Sequence, residues 1–254
     1  MNNLPKVLIT GNSSGLGLGL TQLLLEKDWQ VFGCSRRGCA YQSDYLNDIQ
    51  CDLAHFDRIP VALTQLLSDV QKLNLVVLNA GMLGQIRNLS ETPMSDLQRI
   101  MDLNVWSNKV IFDWLLHSGI EVNQIVLISS AASVLGNKGW SGYAMSKAAL
   151  NMLAKLYAHE FPDTHIAAIA PGIIETQMMD YLCEKADSDQ FPALKRLQQA
   201  RGTETMLTPK QAAERIIKTL PDLKSFTTGS YVDLRQILAP EEYKALMSNW
   251  NKAD

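Results

Sequence analysis

Tyr143 and Lys147 stand four residues apart in a stretch, residues 142–161, whose apolar spacing predicts one long helix stopped by Pro162. That spacing sets a phenol and an ammonium on the same helix face, one turn apart. A phenol with its ordinary pKa near 10 exchanges a proton poorly at neutral pH unless its site stabilises the anion. A neighbouring ammonium supplies that stabilisation. The pair therefore reads as proton-transfer chemistry, with Tyr143 as the acid. Taken alone, the pattern is weak, because two common residue types four apart recur by chance in many helices.

A second segment points to a phosphate. Thr10-Gly11-Asn12-Ser13-Ser14-Gly15-Leu16-Gly17 follows a short apolar strand and leads into an amphipathic helix. Glycines at such a turn let the backbone approach a pyrophosphate with no Cβ in the way. The helix N-terminus then offers free N–H groups and the positive end of its dipole. Gly11, Asn12, Ser13, Ser14, Gly15, Leu16 and Gly17 are thus candidate cofactor-binding residues. Their spacing is G-x-x-x-G-x-G, which differs from the general dinucleotide fingerprint G-x-G-x-x-G.

With these two segments in view, the chain resembles the short-chain dehydrogenase/reductase family. The other landmarks fall in that family's order: Asp52-Leu53 after the third strand, Asn79-Ala80-Gly81 after the fourth, then Asn104, Ser130, Tyr143-x-x-x-Lys147, and Pro171-Gly172 followed by Thr176. The likeness runs from residue 6 to about residue 235. Any one landmark is unspecific; the ordered set is highly specific. The resemblance implies a nicotinamide cofactor that supplies a hydride to a carbonyl carbon while Tyr143 supplies the proton. It implies that Lys147 also holds the nicotinamide ribose, and that Ser130, 13 residues before Tyr143, hydrogen-bonds the carbonyl oxygen as charge develops. Ser129 is one residue early and points elsewhere if the segment is extended. Asn104 is expected to hold a water that links Lys147 to solvent. Pro171-Gly172 should turn the chain over the nicotinamide, with the Ile174 backbone and the Thr176 hydroxyl at its carboxamide.

The second strand ends Gly33-Cys34-Ser35-Arg36-Arg37, with no acid at its tip. An NAD-binding Rossmann fold usually places an acid there for the ribose 2′-hydroxyl. Arg36 and Arg37 instead fit a 2′-phosphate, so the expected cofactor is NADP(H). Many NADP-preferring relatives also carry a basic residue just before the second glycine of the turn; here that residue is Ser14.

Around Tyr143, the segments Gly139-Trp140-Ser141-Gly142-Tyr143 and Gly229-Ser230-Tyr231-Val232-Asp233 are similar to sepiapterin reductases and bacterial benzil reductases within the family. That likeness makes Ser130, Trp140, Met178 and Asp233 candidate substrate residues, and Asp233 a candidate pterin anchor. The substrate class is a small carbonyl compound: a ketone, a dicarbonyl or a pterin side-chain carbonyl. Two other classes stay open, an NADP(H)-binding sensor without turnover and a scaffold that keeps the fold.

The elements that must position these groups follow from alternating short apolar runs and longer amphipathic stretches, the pattern of a parallel sheet with helices on both faces. Seven strands are expected, near residues 6–10, 30–35, 46–51, 75–78, 124–129, 166–170 and 230–234. Helices are expected over residues 16–27, 58–71, 92–104, 107–117, 142–161, 208–220 and 240–250. Residues 175–206 read as an irregular, polar and mobile substrate lid with Met178, Met179, Tyr181, Leu182 and Phe191 on its apolar side. The fold class is α/β: one doubly wound, Rossmann-type domain over residues 1–254.

Composition sets limits on partners. A net charge of −3 offers no basic field for nucleic acid or an anionic membrane. The longest apolar runs are strand-sized, too short to span a bilayer, and the first residues lack a secretory layout. Cys34, Cys39, Cys51 and Cys183 form no C-x-x-C pair, and no metal-ligand spacing joins them to His55, His117, His159 or His165. A cytoplasmic protein with free thiols and no metal is expected. The helices near residues 93–117 and 142–161 are those that many family members pair across a two-fold axis, so a homodimer or homotetramer is expected.

Overall fold

The computed structural model describes residues 4–250. The chain begins in strand β1 (Lys6–Thr10) and turns into α1 (Gly15–Glu26), β2 (Gln30–Ser35), β3 (Leu46–Gln50) and α2 (Arg58–Leu66). A two-residue strand β4 (Lys72–Leu73) precedes β5 (Leu75–Leu78). Helix α3 (Met94–Met101) runs through a π-helical turn (Asp102–Trp106) directly into α4 (Ser107–His117). Next come β6 (Glu121–Val122), β7 (Gln124–Ile128), the short α5 (Ala132–Leu135) and α6 (Ser141–Tyr157). Strands β8 (His165–Ala170) and β9 (Ile173–Ile174) lead to α7 (Gln177–Glu184) and α8 (Ala193–Ala200). Finally β10 (Met206–Leu207), α9 (Pro209–Leu223), β11 (Ser230–Asp233), α10 (Arg235–Leu238) and α11 (Pro240–Trp250) follow.

Seven strands form one parallel sheet in the order β11-β8-β7-β5-β1-β2-β3. Strands β5 and β7 are buried at every position, as a sheet covered on both faces requires. Strand alternation divides two cores between those faces. Leu8, Val76, Leu78, Ile125 and Leu127 pack under α2, α4 and α6, against Leu63, Phe112, Leu150 and Tyr157. Val7, Ile9, Val77, Val126 and Ile128 pack on the other side, against Leu20 and Leu24 of α1 and Ala212 and Ile216 of α9. Helix α9 starts with a capping box: Thr208 accepts from the Gln211 N–H while the Gln211 side chain accepts from the Thr208 N–H.

Three expectations are corrected by the structure. Residues 175–206 are not irregular: they hold α7 and α8, each 8 residues long, joined by a polar turn. Each helix buries only a narrow apolar stripe, Leu182 in one and Leu194 and Leu197 in the other, too short to stand out against the polar stretch between them. The two helices expected near 92–117 are one rod, because the π turn at Asp102–Trp106 absorbs a residue without a break. The helix expected over 58–71 ends at Leu66, and the following residues instead reach the β4–β6 pair.

Candidate active site

In the sheet order, β1 pairs with β2 on one side and β5 on the other. Connections leave this point in opposite directions, so a crevice opens at the strand C-termini, the usual ligand position in such sheets. Here the glycine turn after β1 meets Asn79-Ala80 after β5. Thr10 Oγ1 accepts from the backbone N–H of Asn79 at 3.0 Å and of Ala80 at 3.1 Å. Asn79 Nδ2 donates to the backbone oxygens of Thr10 at 3.0 Å and Gly11 at 3.1 Å. The two turns are thereby held in fixed relation. A Cβ on Gly17 would fall 2.1 Å from the Gly11 oxygen, so this close packing of turn on helix admits only glycine.

Helix α1 has no side-chain cap and no acid in its first turn. Its first N–H groups are therefore left for an outside anion. Gly11, Ser13, Ser14, Gly15 and Leu16 line the resulting cleft, which encloses about 1310 Å³. That exceeds the roughly 300–1,000 Å³ of a typical small-molecule pocket and has room for a dinucleotide and a further ligand. These features fit a nicotinamide dinucleotide. Arg36, Arg37, Asp52, Leu53, Asn79, Ala80 and Gly81 line the same cleft, as do Pro171, Gly172, Ile174 and Thr176. Arg37 Nη2 donates to Ser14 Oγ at 3.1 Å, which brings a guanidinium to the one turn position where the sequence lacks a basic residue. Thr176 lies over the turn, since a Cβ on Gly15 would meet its Cγ2 at 3.1 Å.

Ser130, Tyr143 and Lys147 are positioned by β7, α5 and α6. Ser130 sits just past β7, and its Oγ accepts from the Ala132 N–H at 3.2 Å. Ser129 is buried and donates to Asn151 Oδ1 at 2.6 Å, away from Ser130 as the alternation of an extended segment requires. Tyr143, Lys147 and Ser130 all line the cleft. Burial raises the Tyr143 pKa above its ordinary value, and the hydrogen bond from Ser130 opposes that rise. Lys147 is buried, with its Nζ donating to the Ile128 oxygen at 2.7 Å, and desolvation lowers its pKa to about 8. Its Nζ lies 5.7 Å from the centre of the Tyr143 ring.

Three expected residues lie behind the cleft wall. Asn12 is fully buried and donates from Nδ2 to Asp48 on β3 at 2.6 Å. Gly17 is packed beneath the turn as described. Asn104, in the π turn, accepts from the Met82 N–H at 2.8 Å and donates to the Met82 oxygen and to Ser146 Oγ, each at 2.9 Å. Its side chain braces the loop after β5. A Cβ on Gly81 would lie 3.2 Å from Asn104 Oδ1 and 3.5 Å from Lys147 Nζ, so the two side chains meet at that glycine.

Residues of α7 and α8 also line the cleft. Leu182, Phe191, Leu194 and Leu197 pack with Trp140, Ile86 and Leu83, and Met178, Met179 and Tyr143 border this cluster. This segment is fastened at several points: β9 pairs with β10, Tyr181 accepts from the Ile86 N–H at 3.1 Å, and Arg201 bridges Asp180 at 3.0 Å and Glu184 at 2.8 Å. Asp233 also lines the cleft, but both its carboxylate oxygens are engaged by Arg235. Arg196 and Arg235 complete this wall. Sequence reasoning missed both: a helical arginine such as Arg196 carries no signal that separates it from a solvated surface cation. Among the described residues no cluster of His, Cys, Asp or Glu could hold a metal ion, and no helix is long and apolar enough to cross a membrane.

Comparison with known proteins agrees with this geometry. Residues 5–187 match the short chain dehydrogenase family. A benzil reductase ((S)-benzoin forming) of Saccharomyces cerevisiae is 33% identical over 240 residues, covering 85% of this chain and 91% of that one. Among solved structures, ElxO with NADP bound superposes with a TM-score of 0.73 at 23% identity, covering 91% of this chain and 97% of that one. A 3-ketoacyl-(acyl-carrier-protein) reductase from Brucella melitensis complexed with NADH superposes with a TM-score of 0.73 at 20% identity, covering 90% and 96%.

Proposed function

This chain belongs to the short chain dehydrogenase family, and from that premise we propose that it reduces a small carbonyl compound to an alcohol with NADPH, Tyr143 acting as the acid. The observation that carries the reading is one cleft in which Ser130, Tyr143 and a buried Lys147 stand beside an uncapped, glycine-lined helix N-terminus. A bound nicotinamide dinucleotide would supply the hydride. Everything else falls to side chains. The Tyr143 phenol gives its proton to the carbonyl oxygen, and Ser130 donates a hydrogen bond to that oxygen as it gains charge. Lys147 stabilises the phenolate left behind, and a proton taken up from solvent restores the tyrosine and leaves the ammonium charged for the next turnover. Phe191, Leu182 and Trp140 keep water from the reacting carbonyl.

NADP(H) is favoured over NAD(H) by the two guanidiniums at the end of β2 and by the absence of an acid there. A 2′-phosphate can take a forked contact from Arg36 and a second from Arg37, which already lies on Ser14. Four free thiols, two of them buried, suit a reducing compartment, and we place the protein in the cytoplasm. The exposed side chains Met94 and Trp106, together with Met145, Met152 and Leu156 on α6, suit a two-fold contact between copies. The test is NADPH oxidation over a panel of ketones and 1,2-diketones, with Tyr143→Phe as control. Turnover that depends on Tyr143 is expected; NADPH binding without reduction of any carbonyl would make the protein a cofactor-binding sensor instead.

A further inference from the structure

At the end of the cleft away from the glycine turn, two guanidiniums, Arg196 and Arg235, stand near the buried carboxylate of Asp233; Glu204, Arg215, Lys218 and Glu242 also line the cleft. Arg235 opens α10, and Asp233 pins it: Arg235 Nε donates to Asp233 Oδ1 at 2.8 Å, Nη2 bonds Oδ2, and the Arg235 N–H donates to Oδ1 at 3.0 Å. Asp233 is buried and Arg235 partly exposed, and the two-point contact holds the guanidinium in one orientation. Arg196 projects from helix α8 into the same cleft. Among the described residues Arg196 has no ion-pair partner within 4.0 Å.

The charges that act on Arg196 are Arg235, which disfavours its cation, and Asp233, which favours it. Glu242 borders the cleft but is exposed and pairs with neither arginine. The trio of Arg196, Arg235 and Asp233 thus holds one uncompensated positive charge in a cleft that Leu197, Met178 and Trp140 also line. Arg196 is exposed, so water reaches its cation, and an anion entering the cleft can take its guanidinium without breaking an existing ion pair.

We infer that this end of the cleft binds a carboxylate carried by the substrate, so that the preferred substrate is an oxo acid. The inference rests on the carbonyl-reductase reading above and sharpens its substrate class. A single negative charge matches the single unpaired guanidinium, and a planar carboxylate matches the fork that Arg196 presents. Asp233 acts here as a positioning residue: it orients Arg235 and offsets its charge. Leu197, Met178 and Trp140 take the carbon skeleton, and Tyr143 and Ser130 take the ketone oxygen.

The experiment uses the full chain, NADPH and two acid–ester pairs of different reach: phenylglyoxylate and 4-oxo-4-phenylbutanoate, each with its methyl ester. Specificity is read as kcat/KM, and binding is read in parallel by thermal shift of the Tyr143→Phe protein loaded with NADPH. At one spacing or both, the acid should exceed its ester by about tenfold or more, as a charge-assisted contact contributes. Arg196→Gln, at an exposed position, should bring that ratio close to one in both readouts. Asp233→Asn should also lower it, mainly through KM for the acid. Equal use of acid and ester at both spacings, or a preference for the acid that survives Arg196→Gln, would overturn the inference. If no compound is reduced but the Tyr143→Phe complex binds acid over ester through Arg196, the carboxylate site stands and the reductase reading falls. If reduction is robust with no preference for the acid, the reductase reading stands and the carboxylate site falls.

Discussion

Lys147 Nζ donates a 2.7 Å hydrogen bond to the backbone oxygen of Ile128, the last residue of β7. The contact ties the middle of α6 to the C-terminal edge of the sheet, next to the strand end that carries Ser130. One N–H of the ammonium is used and two remain for the cleft. A single neutral carbonyl replaces only part of the water that a lysine loses on burial. The ammonium is therefore held in place and kept weakly basic, with its pKa lowered to about 8.

Tyr143→Phe removes the proton and keeps the ring. NADPH affinity should survive, while turnover should fall by about a hundredfold or more, the usual cost of losing a positioned acid. Reduction of an established substrate at near the parental rate would exclude Tyr143 as the acid. Ser130→Ala should lower kcat with little change in NADPH binding.

Lys147 predicts two pH dependences. First, kcat/KM for NADPH reports the free enzyme and should decline as pH rises through about 8, where the ammonium is lost; in Lys147→Met that break should vanish. Second, between about pH 8 and the ordinary lysine value of 10.5 the Lys147 site binds fewer protons in the cofactor-free folded chain than in the unfolded one. Lys147 therefore contributes stability that rises with pH across that window, opposed by the buried thiols whose pKa values burial raises, so the stability of the parent relative to Lys147→Met should increase with pH there. Denaturant unfolding at several pH values measures this directly.

Arg36 and Arg37 should favour NADPH over NADH by roughly ten- to hundredfold in Kd, the range expected for losing a charge-assisted contact. Arg36→Asp should invert the preference by adding repulsion. Arg37→Ala should weaken NADPH more than NADH, because it also frees Ser14. Fluorescence titration of both cofactors decides the matter, and equal affinities in the unmodified protein would refute it.

Gly17→Ala places a methyl group 2.1 Å from the Gly11 oxygen, and the turn must shift to admit it. A loss of about 1–3 kcal/mol is expected, together with weaker dinucleotide binding. Chemical denaturation gives the first and titration the second.

The exposed Met152 and Leu156 on α6 should lie in a two-fold contact. Sedimentation of the unmodified protein at micromolar concentration should show a dimer or tetramer, and Met152→Glu with Leu156→Glu should shift it toward monomer. A monomeric parent would rule out this contact.

Periodicity and punctuation made the seven-stranded sheet legible in the sequence. Buried parallel strands are continuous apolar runs, and Gly11, Gly119 and Pro162 mark where elements stop. The glycine turn was legible because it depends on neighbours close in the chain, whereas Tyr143-x-x-x-Lys147 was legible only within the ordered set of landmarks that runs from Thr10 to Thr176. Three features were decided only by tertiary structure. Asn12 turns toward Asp48, 36 residues away, and leaves the cleft wall. Residues 177–200 form two helices because Leu182, Leu194 and Leu197 find Phe191 and Trp140 to pack on; 8-residue segments have too little propensity to form alone. Asp233, readable as a free anchor, is taken by Arg235, and Arg196 enters the same wall from a helix 37 residues earlier. Charge partners across such separations leave no periodic trace in a sequence, because the fold, and not the spacing, brings them together.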